Sequence, residues 1–265
     1  EKAIKDIDTN IALGLNAGLE IIKKAYLYLL QGETTASQEI IDSMLSKGIY
    51  PAIAYDLRGL IDLSQKEYEA AVENFSQAIE HNPDFELAYF NRAIANRYLK
   101  NFDQSLSDLN LAIELSHDVN HILFTRALIK KESGDIQGAI VDYDQIISKD
   151  QTHLDALYNR AISSKFLGNY QNAVQDAAAI LDISPEDPKN WNLKGNVELL
   201  YGDYYQALES YSEAIYLDPN FAEALYNRGL ANLMLYRNME GCNDIRRSLE
   251  LGYQESEKVN ANFCR

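Results

Sequence analysis

At 265 residues and 46% hydrophobic side chains, the chain has enough apolar material to fill a core, which excludes wholesale disorder. It carries 40 Asp and Glu against 24 Lys and Arg, a formal charge of −16 that opposes a nucleic-acid backbone or an anionic membrane as main partner. No run approaches the ~20 apolar residues needed to cross a bilayer, so no direct membrane insertion is expected. Because the first residue is Glu1, the absence of a targeting segment says nothing about compartment.

Residues 2–13 read as an amphipathic helix with Ala3, Ile4, Ile7, Ile11 and Leu13 on its apolar side. From residue 18 a 34-residue unit begins, and it recurs without insertion at 52, 86, 120, 154, 188 and 222. The clearest marker is YFNRA at 89–93, which returns as LYNRA at 157–161 and LYNRG at 225–229. Position 8 of the unit is small throughout (Ala25, Gly59, Ala93, Ala127, Ala161, Gly195, Gly229), and so is position 20. Position 4 is large and apolar, and so is position 24 apart from Ala177. Positions 4, 8 and 11 make one helical stripe; positions 17, 20, 24, 27 and 28 make another. Gly, Lys or Asn near positions 14–16 breaks the chain between them, and Pro83, Pro185 and Pro219 at position 32 end the second helix. Each unit is therefore a helical hairpin that buries its apolar face only by stacking on its neighbours.

Run backwards, the register places Glu1 at position 18 and Leu13 at position 30. Residues 1–17 then hold either the second helix of a preceding, truncated unit, with more repeats upstream, or a capping helix. At the other end, a short helix from Glu255 to Cys264 is expected to cover the last hairpin with Val259 and Phe263, the repeats ending at 255 and the capping segment taking 256–265. Cys242 and Cys264 are the only cysteines. A bond between them indicates an oxidising compartment, periplasmic or secreted; two reduced thiols indicate the cytoplasm.

Position 7 is basic in every unit, and position 23 is Asp in most, which predicts a ladder of ion pairs. Pairing within a repeat joins Arg92–Asp108, Arg126–Asp142, Arg160–Asp176 and Arg228–Asp244. Pairing to the preceding repeat joins Lys24–Asp6, Asp108–Arg126, Asp142–Arg160 and Asp176–Lys194. The sequence does not choose between the two schemes. Chemistry beyond this is sparse. His81, His117, His121 and His153 have no metal-ligand spacing along one helix, no Cys/His pair is placed for nucleophilic work, and no Gly-rich phosphate loop occurs. Neither an enzyme nor any cofactor, metal or catalytic residue is expected.

The unit PKNWNLKGNVELLYGDYYQALESYSEAIYLDPNF (188–221), with its Trp, Gly, Gly-Asp-Tyr, Ala, Tyr, Ala and Asp-Pro, resembles the tetratricopeptide repeat family. The resemblance spans 18–255 in seven registers. It implies an all-α, right-handed α-solenoid, a superhelix of stacked antiparallel hairpins, whose concave wall of first helices is the usual ligand surface. It also implies that Asn at position 6, here Asn91, Asn159 and Asn227, holds an extended peptide by its backbone, since one carboxamide both donates and accepts. Around that track the expected wall is apolar: Phe90, Phe124, Tyr158 and Tyr226 at position 5, Ile94 at position 9, Tyr98 and Phe166 at position 13. The lysine clamp with which co-chaperones of this family grip acidic chaperone tails is absent, because positions 5 and 9 before the three Asn hold Asp56 and Leu60, Phe124 and Leu128, Asn192 and Asn196. An apolar or basic extended protein segment is the expected partner, which makes the chain a protein-binding scaffold or adaptor. The alternative is an architectural solenoid that self-associates as a homo-oligomer or links domains of a longer protein.

Overall fold

The structure, a computed structural model, describes residues 2–12 and 17–264. Glu1 and Leu13, which the backward register placed at positions 18 and 30, lie outside the described residues. The described residues form sixteen α-helices and no strand, an all-α solenoid. The chain divides into two units, Glu1–Ser133 and Gly134–Arg265.

In the first unit α1 (Lys2–Ala12) leads into three hairpins: α2 (Ala17–Leu30) with α3 (Thr34–Ser46), α4 (Pro51–Ser64) with α5 (Tyr68–His81), and α6 (Glu86–Tyr98) with α7 (Phe102–Leu115). α8 (Asn120–Ser133) packs on α7. In the second unit α9 (Ile136–Lys149) packs on α10 (Leu154–Phe166), which pairs with α11 (Tyr170–Ile183). The hairpins α12 (Pro188–Tyr201) with α13 (Tyr204–Leu217) and α14 (Ala222–Met234) with α15 (Asn238–Glu250) follow, and α16 (Glu255–Phe263) closes on α15.

Within each unit the break between the two helices of a hairpin is built the same way. Residue 15 of the unit takes the left-handed conformation: Gly32, Lys66, Lys100, Gly134, Gly168, Gly202 and Tyr236 all have positive φ. That lets the N–H of position 16 reach back to the carbonyl of position 11, as from Glu67 to Asp62, Asn101 to Asn96 and Asp203 to Glu198, each at 2.9 Å. This Schellman closure satisfies the orphan carbonyls of the first helix, and the second helix starts at position 17. Lys and Tyr strain this conformation where Gly does not. Lys66→Gly or Lys100→Gly is therefore expected to stabilise the fold by about 1 kcal/mol, read as a rise in the urea midpoint.

Small residues at position 8 let the two helices of a hairpin approach. A Cβ on Gly59 would stand 2.6 Å from the Phe75 ring, and one on Gly195 2.6 Å from the Tyr211 ring. Both rings are fully buried. Where position 20 is Ser, its hydroxyl donates to the carbonyl of position 8, Ser37 to Ala25 at 2.9 Å and Ser105 to Ala93 at 2.7 Å.

The position 7 ladder follows the pairing within a repeat wherever a position 23 Asp is met inside one unit. The Arg92 guanidinium forks onto Asp108 at 2.9 and 2.7 Å, Arg160 onto Asp176 at 3.0 and 2.6 Å, and Arg228 onto Asp244 at 2.8 and 2.8 Å. The third nitrogen of each fork reaches position 25 of the preceding repeat: Ser76 at 3.0 Å, Asp144 at 2.6 Å and Ser212 at 3.3 Å. One arginine thus pins two repeats. The alternative pairings Asp142–Arg160 and Asp176–Lys194 give way to this, and Lys194 turns to Glu198 at 3.5 Å. Lys24 meets Asp8 at 2.5 Å rather than Asp6, because Asp8 occupies the position 25 slot ahead of it.

Cys242 and Cys264 are bonded, with their Cα atoms 5.2 Å apart. Val259 packs against the cluster that the two cysteines form with Ile245. Phe263 does not cover the hairpin: it ends α16 and stays 68% exposed.

Candidate binding face of the first helices

On an α-helix, positions 2, 5, 6, 9 and 13 fall on one side, opposite the stripe that packs on the second helix. In the first unit this side carries exposed Leu19, Tyr26 and Leu30 on α2 and exposed Leu87 and Tyr98 on α6. Tyr98 stacks on Tyr68 with ring centroids 4.6 Å apart. Phe90, Ile94 and Phe124 are half-buried, and Phe90 meets His121 edge-on at 5.4 Å. In the second unit Tyr158 and Phe166 of α10, Leu200 of α12 and Met234 of α14 are exposed, while Tyr226 is half-buried against Tyr253 at 5.2 Å. This side thus presents large apolar side chains that stacking within the repeats does not cover.

The three position 6 asparagines do not behave alike. Asn91 donates to the Asp56 carboxylate, position 5 of the preceding repeat, at 2.9 Å. Asp56 is buried, and that burial pushes its carboxyl up to about 6 against an ordinary 3.8, although the Asn91 bond pulls the other way. A carboxyl raised in the fold gives stability that is complete below its unfolded value and is lost as pH rises through its folded value. Asp56→Asn keeps an acceptor for Asn91 and removes the buried charge. Its advantage over the native chain should be near zero at about pH 3 and grow to at most about 3 kcal/mol above pH 6, checked by urea unfolding across that range.

Asn227 donates to two acceptors of the preceding repeat, Asn192 Oδ1 at 3.2 Å and Asn196 Oδ1 at 2.9 Å. Asn192 in turn donates to Glu223 at 3.1 Å, and the Tyr211 hydroxyl donates to Asn196 Oδ1 at 2.9 Å. Among the described residues this leaves the Asn196 amide N–H groups and the Asn227 carbonyl oxygen without a partner, and both residues are half-buried. A donor beside an acceptor matches the two polar groups of a peptide unit. Asn159 instead donates to the Asp155 carbonyl of its own helix at 2.9 Å.

Asn91 and Asn227 stand out in the sequence by their repeat position, whereas the residues they bond to do not. Asp56, Asn192 and Asn196 occupy positions 5 and 9, and the available signal was a polar side chain at a position that is apolar in the other repeats. Among the described residues no three His, Cys, Asp or Glu gather into a set that could hold a metal ion, and no helix is long and apolar enough to cross a membrane. His153 caps α10, its Nδ1 accepting from the Ala156 N–H at 3.3 Å.

A family model of the TPR (tetratricopeptide) repeat matches residues 59–99 and 195–235. Among curated proteins, none matches by sequence. Among solved structures, YrrB, described as a TPR protein with an unusual peptide-binding site, aligns with a TM-score of 0.60 at 15% identity, over 70% of this chain and 95% of that one. A tetratricopeptide repeat protein from Parabacteroides merdae aligns with a TM-score of 0.60 at 19% identity, over 92% of this chain and 99% of that one. The APC/C hetero-tetramer Cut9-Hcn1 gives 0.55 at 14% identity, over 94% of this chain and 49% of that one. At these identities the likeness is one of fold.

Proposed function

This chain is a tetratricopeptide repeat protein, and we propose that it holds an extended segment of another protein along the face its first helices share. The fold is that of a protein–protein interaction module. The observation that carries the finer reading is the Asn196–Asn227 pair, whose unused donor and acceptor suit a backbone amide, set in a helix face with exposed Leu200 and Met234. Asn91 offers the same carbonyl in the first unit, with its amide held by Asp56. YrrB is described as having a peptide-binding site, which agrees with this use of the fold. The −16 charge favours a segment with basic residues, so binding should weaken as salt rises. No chemistry is assigned to the face, and the module acts as a scaffold. The Cys242–Cys264 bond suits an oxidising compartment.

The test is an array of extended peptides, with affinities of the hits measured by calorimetry. Asn227→Ala is expected to weaken binding about tenfold, because one desolvated hydrogen bond to backbone is lost, while losing its own bonds to Asn192 and Asn196 costs about 1–2 kcal/mol and leaves the chain folded. Unchanged affinity in that variant, together with self-association seen by crosslinking, would favour the architectural reading instead.

A further inference from the structure

The last repeat holds a pocket of about 340 Å³ that the asparagine track does not use. Leu233 and Met234 of α14, Tyr236 of the following turn, Asn238 at the start of α15, and Val259 and Phe263 of α16 line it. Its wall carries no charged side chain. Met234, Tyr236 and Phe263 are each more than half exposed, which is unusual for three large apolar residues around one opening. The α16 side of the pocket is fixed in place. The disulfide ties Cys264 to α15, Arg246 donates to the Cys264 carbonyl at 2.8 Å, and Val259 packs against the cluster of Cys242, Ile245 and Cys264. A site held ready in this way does not spend binding energy on ordering itself.

We propose that this pocket takes one large uncharged side chain, an aromatic ring above all, from a partner segment whose flanking residues are basic. The size fits: a cavity of about 150 Å³ holds benzene, so 340 Å³ has room for a bicyclic ring such as indole. The uncharged wall requires an uncharged occupant, since a charge buried there would have no counter-ion. The flanks follow from charge complementarity. Glu240, Glu255 and Glu257 in the first turns of α15 and α16 stand against Arg237 in the turn, Arg246 and Arg247 in α15 and Lys258 in α16, so the acidity that favours basic flanks is that of the whole chain, at −16. A second copy brings the same charge and is repelled, whereas a basic segment is drawn in. The pocket continues the line of exposed position 13 residues, Phe166, Leu200 and Met234, along the first helices of the second unit. It therefore rests on the reading of that face as a receptor and names the side chain that anchors the end of the bound segment.

Methyl-labelled methionine gives a direct readout, because the chain has three Met: Met234 in the pocket wall, buried Met44 in the first unit, and exposed Met239. The probes are three end-blocked pentapeptides: Lys-Lys-Trp-Lys-Lys, the same with Ala at the centre, and the same with Glu flanks. The Trp peptide should shift the Met234 signal saturably and leave Met44 unmoved. The Ala-centred and Glu-flanked peptides should bind at least tenfold more weakly. Met234→Glu should abolish binding of the Trp peptide, followed then by its fluorescence anisotropy. Cys264→Ser, which frees α16, should weaken it about tenfold. Asn227→Ala should leave the pentapeptide response intact while weakening longer segments, so failure of the pocket and failure of the groove give different results. A Met234 signal that ignores the Trp peptide, responds equally to the Ala-centred one, or shifts with protein concentration alone overturns the proposal.

Discussion

Arg160→Ala is expected to cost about 3 kcal/mol at pH 7, and to cost much less near pH 4. Asp176 is 4% exposed, and its carboxyl already stands above the ordinary range because burial outweighs what the Arg160 fork returns. Removing the arginine leaves a buried carboxylate with its main partner gone, the costly half of breaking such a pair. It also cuts the 2.6 Å tie to Asp144, so the repeat before loses its pin. The sign of the pH dependence follows from linkage. In the variant the folded Asp176 carboxyl titrates higher still; its contribution is whole below the unfolded value near 3.9 and is lost as pH rises through the folded one. Acidification protonates the orphan and returns stability. Adding Asp176→Asn should recover most of the loss at pH 7 for the same reason. Urea unfolding of the three variants at pH 4 and pH 7 is the measurement, and a loss below 1 kcal/mol that ignores pH would show that the ladder is only surface decoration.

The residues that fixed the period also fixed most of the fold. Where the turn residue is Gly32, Gly134, Gly168 or Gly202 the break announces itself, and the register alone carries the same break onto Lys66, Lys100 and Tyr236, whose left-handed backbone no propensity would suggest. The ladder was half legible. Position 7 and position 23 stand out because their residue types repeat, but choosing a partner needs the guanidinium's shape. A planar fork satisfies an Asp with two nitrogens and still has one to spare, which is why it bridges two repeats where Lys194 settles for Glu198. The spare contact goes to Ser76, Asp144 or Ser212, a position whose residue type varies and so gave no signal. The same applies to the candidate face. Asn at position 6 repeats and can be read, whereas its acceptors, Asp56 in one unit and Asn192 with Asn196 in the other, lie 31 or 35 residues upstream and differ in kind. The sequence pairs Phe263 with Val259 as the cover of the last hairpin; with α16 ending at that residue, the ring is left as a wall of an open pocket.

Gly195→Val should destabilise the second unit by about 3 kcal/mol. The cause is contact, not propensity. A Cβ at 195 lies 2.6 Å from Tyr211 Cε1, 2.7 Å from Cδ1 and 3.0 Å from Cζ, so the ring must move. It has little room to do so: Tyr211 is fully buried, clusters with Ala207 and Ala231, and is tethered through its hydroxyl to Asn196. Two branched methyls overpack that seam by the upper end of what cores tolerate. Gly195→Ala meets the same ring with one carbon and regains about 1 kcal/mol of helix propensity, so its net loss should be about 1–2 kcal/mol. The chain supplies its own control. In the first unit Ala93 and Leu109 share a core at the same two positions, both fully buried. Tyr211→Leu in the Gly195→Ala background should therefore give a favourable coupling of about 1 kcal/mol in a double-mutant cycle. The displaced ring also releases Asn196, so Gly195→Val should lower affinity for an extended peptide even where the fold survives. A Gly195→Val protein that melts with the native chain would mean the two helices part easily, and that the small residue at position 8 is not what sets their spacing.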